Sequence, residues 1–208
     1  MRVLIVYGSS RGGTAGLAQL IAEAFVSRGV VADVGEASAV DEIEEYDAVI
    51  VGGALYSGRW HPDATWFVER NLEALRAISV WFFSSGPLDT SARSGALAPI
   101  SQVQDLARQA DIRGHMTFGG YLEARSSGFL SSLLSWGTPG DYRDPAQVNE
   151  WVDRIIARIG EPRTSITLPD AQPTSARVAA RVLRRLAEAG DNGADASEDL
   201  GLDVLTDS

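Results

Sequence analysis

Apolar positions along the chain fall into two alternating rhythms. Residues 2–7, Arg-Val-Leu-Ile-Val-Tyr, form a short β-rich apolar run that ends at Gly8, the pattern of a strand buried on both faces. Leu17, Leu20, Ile21, Ala24 and Phe25 then recur at i, i+3, i+4, i+7 and i+8. That spacing puts them on one face of a helix, and Gly29 supplies its stop. The succession repeats: Val30–Val34 predicts a second strand, Ala39–Glu44 a short acidic helix, and Asp47–Gly53 a third strand closing in two glycines. Pro62 suits the first turn of a helix running to about Arg76. Ile78–Phe83 predicts a fourth strand, which stops at Ser84-Ser85-Gly86-Pro87. A helix near Ile100–Ala110 precedes a fifth strand, His115–Tyr121. The last core helix follows Asp144-Pro145, with Val148, Trp151, Val152, Ile155, Ile156 and Ile159 on its apolar face.

Five strands alternating with helices predict an α/β domain, a parallel sheet covered by helices on both faces. The domain is expected over residues 1–160, with an insertion at 123–142 that contains Gly128-Phe-Leu-Ser-Ser-Leu-Leu-Ser-Trp136. A stretch of that length inside a compact domain is functional or disordered as a rule. Residues 161–208 read as a tail. Pro162, Pro169 and Pro173 interrupt it, a helix is expected at about 175–189, and seven acidic and no basic residues lie between Glu188 and Ser208.

Composition narrows the chemistry. The apolar share of 45% supports a sizeable core. A net charge of −10 repels phosphate backbones and argues against nucleic acid as a partner. The absence of cysteine removes disulfides, thiolate metal sites and thiol nucleophiles. All 18 basic residues are arginine, so a lysine Schiff base and a lysine-dependent phosphate loop are excluded. The start lacks a signal-peptide layout and no apolar run spans a bilayer, so a cytoplasmic protein is expected.

In an open parallel sheet, ligands bind where strands end and their order reverses. Three strand ends carry loops of unusual composition: Gly8-Ser-Ser-Arg-Gly-Gly-Thr-Ala15, Gly53-Ala-Leu-Tyr-Ser-Gly-Arg-Trp-His61 and Ser84-Ser-Gly-Pro-Leu88. The first leads straight into a helix, whose amide N–H groups and dipole favour an anion. Gly12 and Gly13 allow close backbone approach, and Ser9, Ser10 and Thr14 add hydroxyls. Such a nest suits a terminal monoester phosphate and needs no lysine or metal. The glycine spacing fits neither the P-loop nor the dinucleotide fingerprint. In the second loop, Tyr56 and Trp60 are of a type that stacks on a flat heteroaromatic ring, although Trp60 packing against Trp66 is an equal alternative. Gly58 would let a peptide reorient beside such a ring. The third loop offers donors to a polar ring edge, or is simply a turn.

Val3-Leu-Ile-Val-Tyr-Gly-Ser-Ser-Arg-Gly-Gly-Thr14 resembles the FMN phosphate loop of the flavodoxin superfamily. Within it, this loop, the stretch Val51–His61, the place of the insertion and Asp141-Tyr-Arg-Asp-Pro-Ala-Gln-Val148 are similar to the menaquinone-dependent protoporphyrinogen dehydrogenases. The resemblance covers about residues 1–160. It implies the strand order 2-1-3-4-5, FMN as cofactor, and oxidation of protoporphyrinogen IX with electrons passing to a quinone in haem biosynthesis. It also implies that Ser9, Ser10, Arg11, Gly12, Gly13 and Thr14 hold the phosphate. Ala54, Leu55 and Tyr56 would line one side of the ring, and Ser84, Ser85 and Gly86 its polar edge.

No side chain is an obvious general base; of the two histidines, His61 is expected to cap or precede a helix and His115 to start a strand. No metal is expected. Phe129, Leu130, Leu133, Leu134 and Trp136 suggest an apolar lid, a membrane-touching surface over 128–136, or a flap over the core. Arg125 and Arg143 flank the insertion, facing either propionates or solvent. Two rival readings stay open. One is an electron-carrying flavodoxin steered to a basic redox partner protein. The other is a non-enzymatic binding module whose tail recognises a partner.

Overall fold

The computed structural model describes residues 1–86, 97–122 and 140–161, all within the unit Met1–Gln172. The strands are β1 (Arg2–Gly8), β2 (Val31–Glu36), β3 (Ala48–Tyr56), β4 (Arg59–Trp60), β5 (Ser79–Ser85), β6 (Gly114–Phe118), β7 (Tyr121–Leu122) and β8 (Gly140–Asp141). The helices are α1 (Gly13–Val26), α2 (Pro62–Arg70), α3 (Leu72–Ala77), α4 (Ser101–Ala110) and α5 (Pro145–Arg158). Five parallel strands lie in the order β2-β1-β3-β5-β6, with β4 paired antiparallel to β3. Counting the parallel strands alone, this is the order 2-1-3-4-5.

Strand periodicity explains why the central runs are apolar throughout. Alternate side chains of one strand point to opposite faces, and here both faces are covered. Leu4, Val6, Val49, Val51, Val80 and Phe82 pack with Phe67, Leu75 and Val103 beneath α2, α3 and α4. Val3, Ile5, Ala48, Ile50, Trp81 and Phe83 pack with Leu17, Ile21, Phe25, Trp151 and Ile155 of α1 and α5. The expected apolar face of the last helix therefore forms, with Val148, Trp151, Val152 and Ile155 buried. On this side Phe83, Phe118 and Trp151 meet edge to face, with Phe118 and Trp151 centroids 5.3 Å apart.

Three elements differ from the sequence expectation. Ala39–Glu44 is not helical. Six residues seldom support the cost of helix nucleation. Only Ile43 of this acidic stretch is fully buried, and its N–H bonds to the Glu44 carboxylate instead. The helix expected from Pro62 to Arg76 breaks at Asn71, whose φ of −107° and ψ of 15° separate α2 from α3. The Asn71 side chain donates back to the Phe67 carbonyl at 2.9 Å, competing with the helical ladder. The strand expected at His115–Tyr121 ends at Phe118. Beyond it, a Cβ on Gly119 would collide with the Tyr142 main chain, and Tyr121–Leu122 turn away to pair antiparallel with Gly140–Asp141.

Candidate functional site

The three singled-out loops meet at one edge of the sheet. Gly8 stands opposite Gly53, Gly53 opposite Ser84, and Ala54 opposite Ser85. The chain leaves β1 for β2 on one side and then crosses to β3 on the other, so the order reverses at β1 and β3. This is where an open α/β sheet makes its ligand crevice.

In the β1–α1 turn, Ser10, Arg11 and Gly12 are exposed, Ser9 is partly buried, and Gly13 and Thr14 are buried. Gly12 adopts φ +77° immediately before the helix, a region that a Cβ disfavours. Helix α1 begins without a side-chain cap hydrogen bond and without an acidic residue in its first turn. Its orphan N–H groups and positive dipole end are left to a ligand or solvent. Thr14 Oγ1 is buried and has no hydrogen-bond partner among the described residues. A buried hydroxyl left this way is costly unless a further acceptor meets it.

The second loop is a hairpin. Tyr56 faces Arg59 and Leu55 faces Trp60 across the turn, where Ser57 (φ 48°) and Gly58 (φ 72°) both take left-handed conformations, as a two-residue type I′ connection requires. Ala54 is buried and Leu55 and Tyr56 are partly exposed. The Arg11 guanidinium sits 5.7 Å from the Tyr56 ring centroid, joining the first loop to the second. Trp60 belongs to the core. It is 2% exposed, and its ring lies 5.2 Å from Phe82, with Gly53 leaving the room. Trp60 is thus a core residue, packed on Phe82, rather than an exposed ring-stacking surface.

His61 caps α2, as anticipated, by accepting the Asp63 N–H at Nδ1 over 3.3 Å. What sequence reasoning missed is its other nitrogen: Nε2 lies 2.8 Å from Ser10 Oγ, in the first loop. No local pattern signals a pair so distant in sequence.

At the third strand end, Ser84 and Ser85 are buried and Gly86 has φ +120°. The Ser84 hydroxyl pairs with His115 Nε2 at 3.0 Å, and Gly86 N–H donates to the Phe118 carbonyl at 3.1 Å. Burial pushes the His115 imidazole down to about 3, so it is neutral at ordinary pH. Residues 87–88 of this loop lie outside the described residues, as do Arg125, the apolar run 128–136 and the tail from 162.

The β7–β8 ribbon brings the roots of the insertion to the same corner. A Cβ on Gly13 would stand 3.1 Å from the Tyr121 carbonyl oxygen. Arg143 lies over the Tyr121 ring at 4.9 Å and makes a two-point pair with Asp141 at 2.8 and 2.6 Å. Hydrogen bonds from Arg143 hold the Asp141 carboxyl below the usual range. Among the described residues, Arg143 therefore faces Asp141 rather than standing alone.

Residues 4–133 match the flavodoxin domain family. The chain belongs to the flavodoxin family. No relative was found among curated proteins. Solved structures share the flavodoxin fold at low identity. A short-chain flavodoxin associated with a non-canonical PDU bacterial microcompartment is 13% identical with a TM-score of 0.53, over 77% of this chain and 99% of that one. Streptococcus pneumonia TIGR4 flavodoxin is 18% identical with a TM-score of 0.51, over 76% of this chain and 100% of that one. The rubredoxin oxygen:oxidoreductase of Desulfovibrio gigas is 16% identical with a TM-score of 0.54; the match covers 76% of this chain and 36% of that one.

FMN is the cofactor of this flavodoxin domain. The residues present fit it. An open αL glycine, an uncapped helix start and a Thr14 hydroxyl without a partner among the described residues are features that suit a phosphate ester. No helix among the described residues is long and apolar enough to cross a membrane.

Proposed function

We propose that this flavodoxin domain is an FMN-dependent oxidoreductase whose β1–α1 turn grips the flavin phosphate without metal or lysine. The observation that carries the reading is Thr14 Oγ1, buried and without a partner among the described residues, at the mouth of an uncapped helix. When bound, FMN supplies a ring able to accept and release electrons or a hydride. The chain binds and orients. Ser9, Ser10, Arg11, Gly12, Gly13 and Thr14 hold the phosphate. Ala54, Leu55 and Tyr56 wall one side of the ring, and Ser84, Ser85 and Gly86 border its polar edge. With Ser84 fixed to a neutral His115, that edge carries no added charge from the imidazole.

The finer assignment is oxidation of protoporphyrinogen IX, with electrons leaving through FMN to a quinone. Its support is the resemblance of Val51–His61 and the rooting of the insertion beside Gly13, next to the crevice. A second reading, a carrier that hands electrons to a basic protein, is favoured by the net charge of −10.

Titration of the apoprotein with FMN should quench flavin fluorescence saturably, and linear, unsaturable quenching would overturn the cofactor site. Anaerobic addition of protoporphyrinogen IX to the loaded protein then separates the two functions. Bleaching of the flavin band supports the dehydrogenase, and an unchanged band together with reduction by a partner flavin reductase supports the carrier.

A further inference from the structure

We propose that His61 is a positioning residue that makes the Ser10 hydroxyl a dedicated hydrogen-bond donor toward the flavin phosphate. The inference rests on the assignment of the β1–α1 turn to that phosphate.

Helix α2 sets the tautomer of its own capping residue. Its Asp63 N–H points at His61 Nδ1 over 3.3 Å. A backbone N–H can only donate, so Nδ1 carries the lone pair and the ring proton sits on Nε2. That nitrogen lies 2.8 Å from Ser10 Oγ. Nε2–H therefore donates to the hydroxyl oxygen, and the hydroxyl proton must point elsewhere. The reverse arrangement, with Ser10 donating to Nε2, would put a proton on Nδ1 facing the Asp63 N–H, and the Asp63 carboxylate oxygen, 3.7 Å from Nδ1, stands beyond hydrogen-bond reach to accept it.

The ring has little freedom to change this. His61 is 6% exposed, and a Cβ on Gly8 would stand only 2.9 Å from Nδ1. Ser10 by contrast is exposed at the turn. A serine hydroxyl is ordinarily both donor and acceptor and rotates to suit. A phosphate dianion offers acceptors only. With its acceptor side taken by His61, Ser10 presents a proton in the one sense the phosphate can use. The cap of α2 thus sets the polarity of a group 51 positions earlier in the chain.

Two substitutions divide the two nitrogens. His61→Asn keeps an acceptor for the Asp63 N–H and deletes the Nε2 donor. His61→Gln reaches toward Ser10 with an amide N–H and gives up the cap. We expect His61→Asn to weaken FMN binding about tenfold, the loss of one hydrogen bond to a charged ligand. Riboflavin, which lacks the phosphate, should bind as before, and the thermal midpoint should stay near that of the parent. His61→Gln should keep FMN affinity within about threefold while lowering the midpoint. Nitrogen-15 spectra of the parent should show a pyrrole-like Nε2 and a pyridine-like Nδ1.

If Ser10→Ala weakens FMN binding and His61→Asn does not, the His61 role falls and the phosphate turn stands. If neither substitution matters, the His61 role falls, and the phosphate turn is then decided separately by whether the parent binds FMN saturably and more tightly than riboflavin. A pyridine-like Nε2, or an equal loss of FMN and riboflavin binding in His61→Asn, would also overturn the role.

Discussion

The Trp60 indole lies against the main chain of Gly53: a Cβ at residue 53 would stand 2.5 Å from Nε1 and 2.7 Å from Cδ1. Strand β3 reaches the crevice only because this position has no side chain. Trp60 cannot step aside, being 2% exposed and packed on Phe82. Gly53→Ala should therefore destabilise the protein by about 1–3 kcal/mol, the range for overpacking a filled core. Urea unfolding read by tryptophan fluorescence checks it, and an unchanged midpoint would show that the strand end yields.

Thr14→Val tests the orphaned hydroxyl. Valine has nearly the same shape and lacks the oxygen that the folded apoprotein leaves unpaired. The apoprotein should be as stable as the parent or more so, because removing an unsatisfied buried polar group costs nothing. FMN affinity should fall about tenfold or more, as a charge-assisted hydrogen bond is lost. Thermal melts of the apoprotein and a fluorescence titration give the two halves. A drop in apoprotein stability with FMN affinity intact would reverse the assignment.

Gly12 separates backbone strain from steric fit. Its φ is +77°, yet a Cβ there would meet nothing within 4 Å. Gly12→Ala should cost about 1–2 kcal/mol from the left-handed dihedral alone. Gly12→Asn should cost less, because asparagine tolerates that region. Equal losses in the two variants, measured by chemical denaturation, would mean that the dihedral is not the cause.

His115 supplies a pH dependence with a definite sign. Burial lowers its folded-state value from 6.5 to about 3. Between those values the unfolded chain binds a proton that the folded chain refuses. Stability is thus full above about pH 6.5 and declines as pH falls toward 3, by at most about 1.4 kcal/mol per pH unit. His115→Gln should flatten the trend between pH 6.5 and 5, above the range where carboxylates dominate. Denaturation midpoints across that interval decide it, and parallel slopes in parent and variant would exclude His115 as the source.

Much of this architecture was legible in the pattern of residues. Runs such as Val3–Val6 and Ala48–Val51 are apolar at every position because helices cover both faces of the sheet, and that signature needs no tertiary information. The Gly and Ser loops at three strand ends were also visible, and the register brings them together. The failures lie where long-range contacts decide. For Trp60 the residues left ring stacking and packing equally open, because nothing local says that Gly53 leaves a slot for it. The Ser57-Gly58 turn folds Trp60 back under the sheet, and only that geometry shows its role. The Ser10–His61 pair is likewise a product of register and not of spacing.

The β7–β8 ribbon has a consequence for how such a domain diversifies. Leu122 and Gly140 sit opposite each other, so the stretch 123–139 departs and returns across one rung of a ladder. The entropic toll of bringing its ends together grows only slowly with length. A change in its length therefore need not cost the pairing of Leu122 with Gly140. Evolution, or a designer, has at this rung a place where length can vary at little entropic cost.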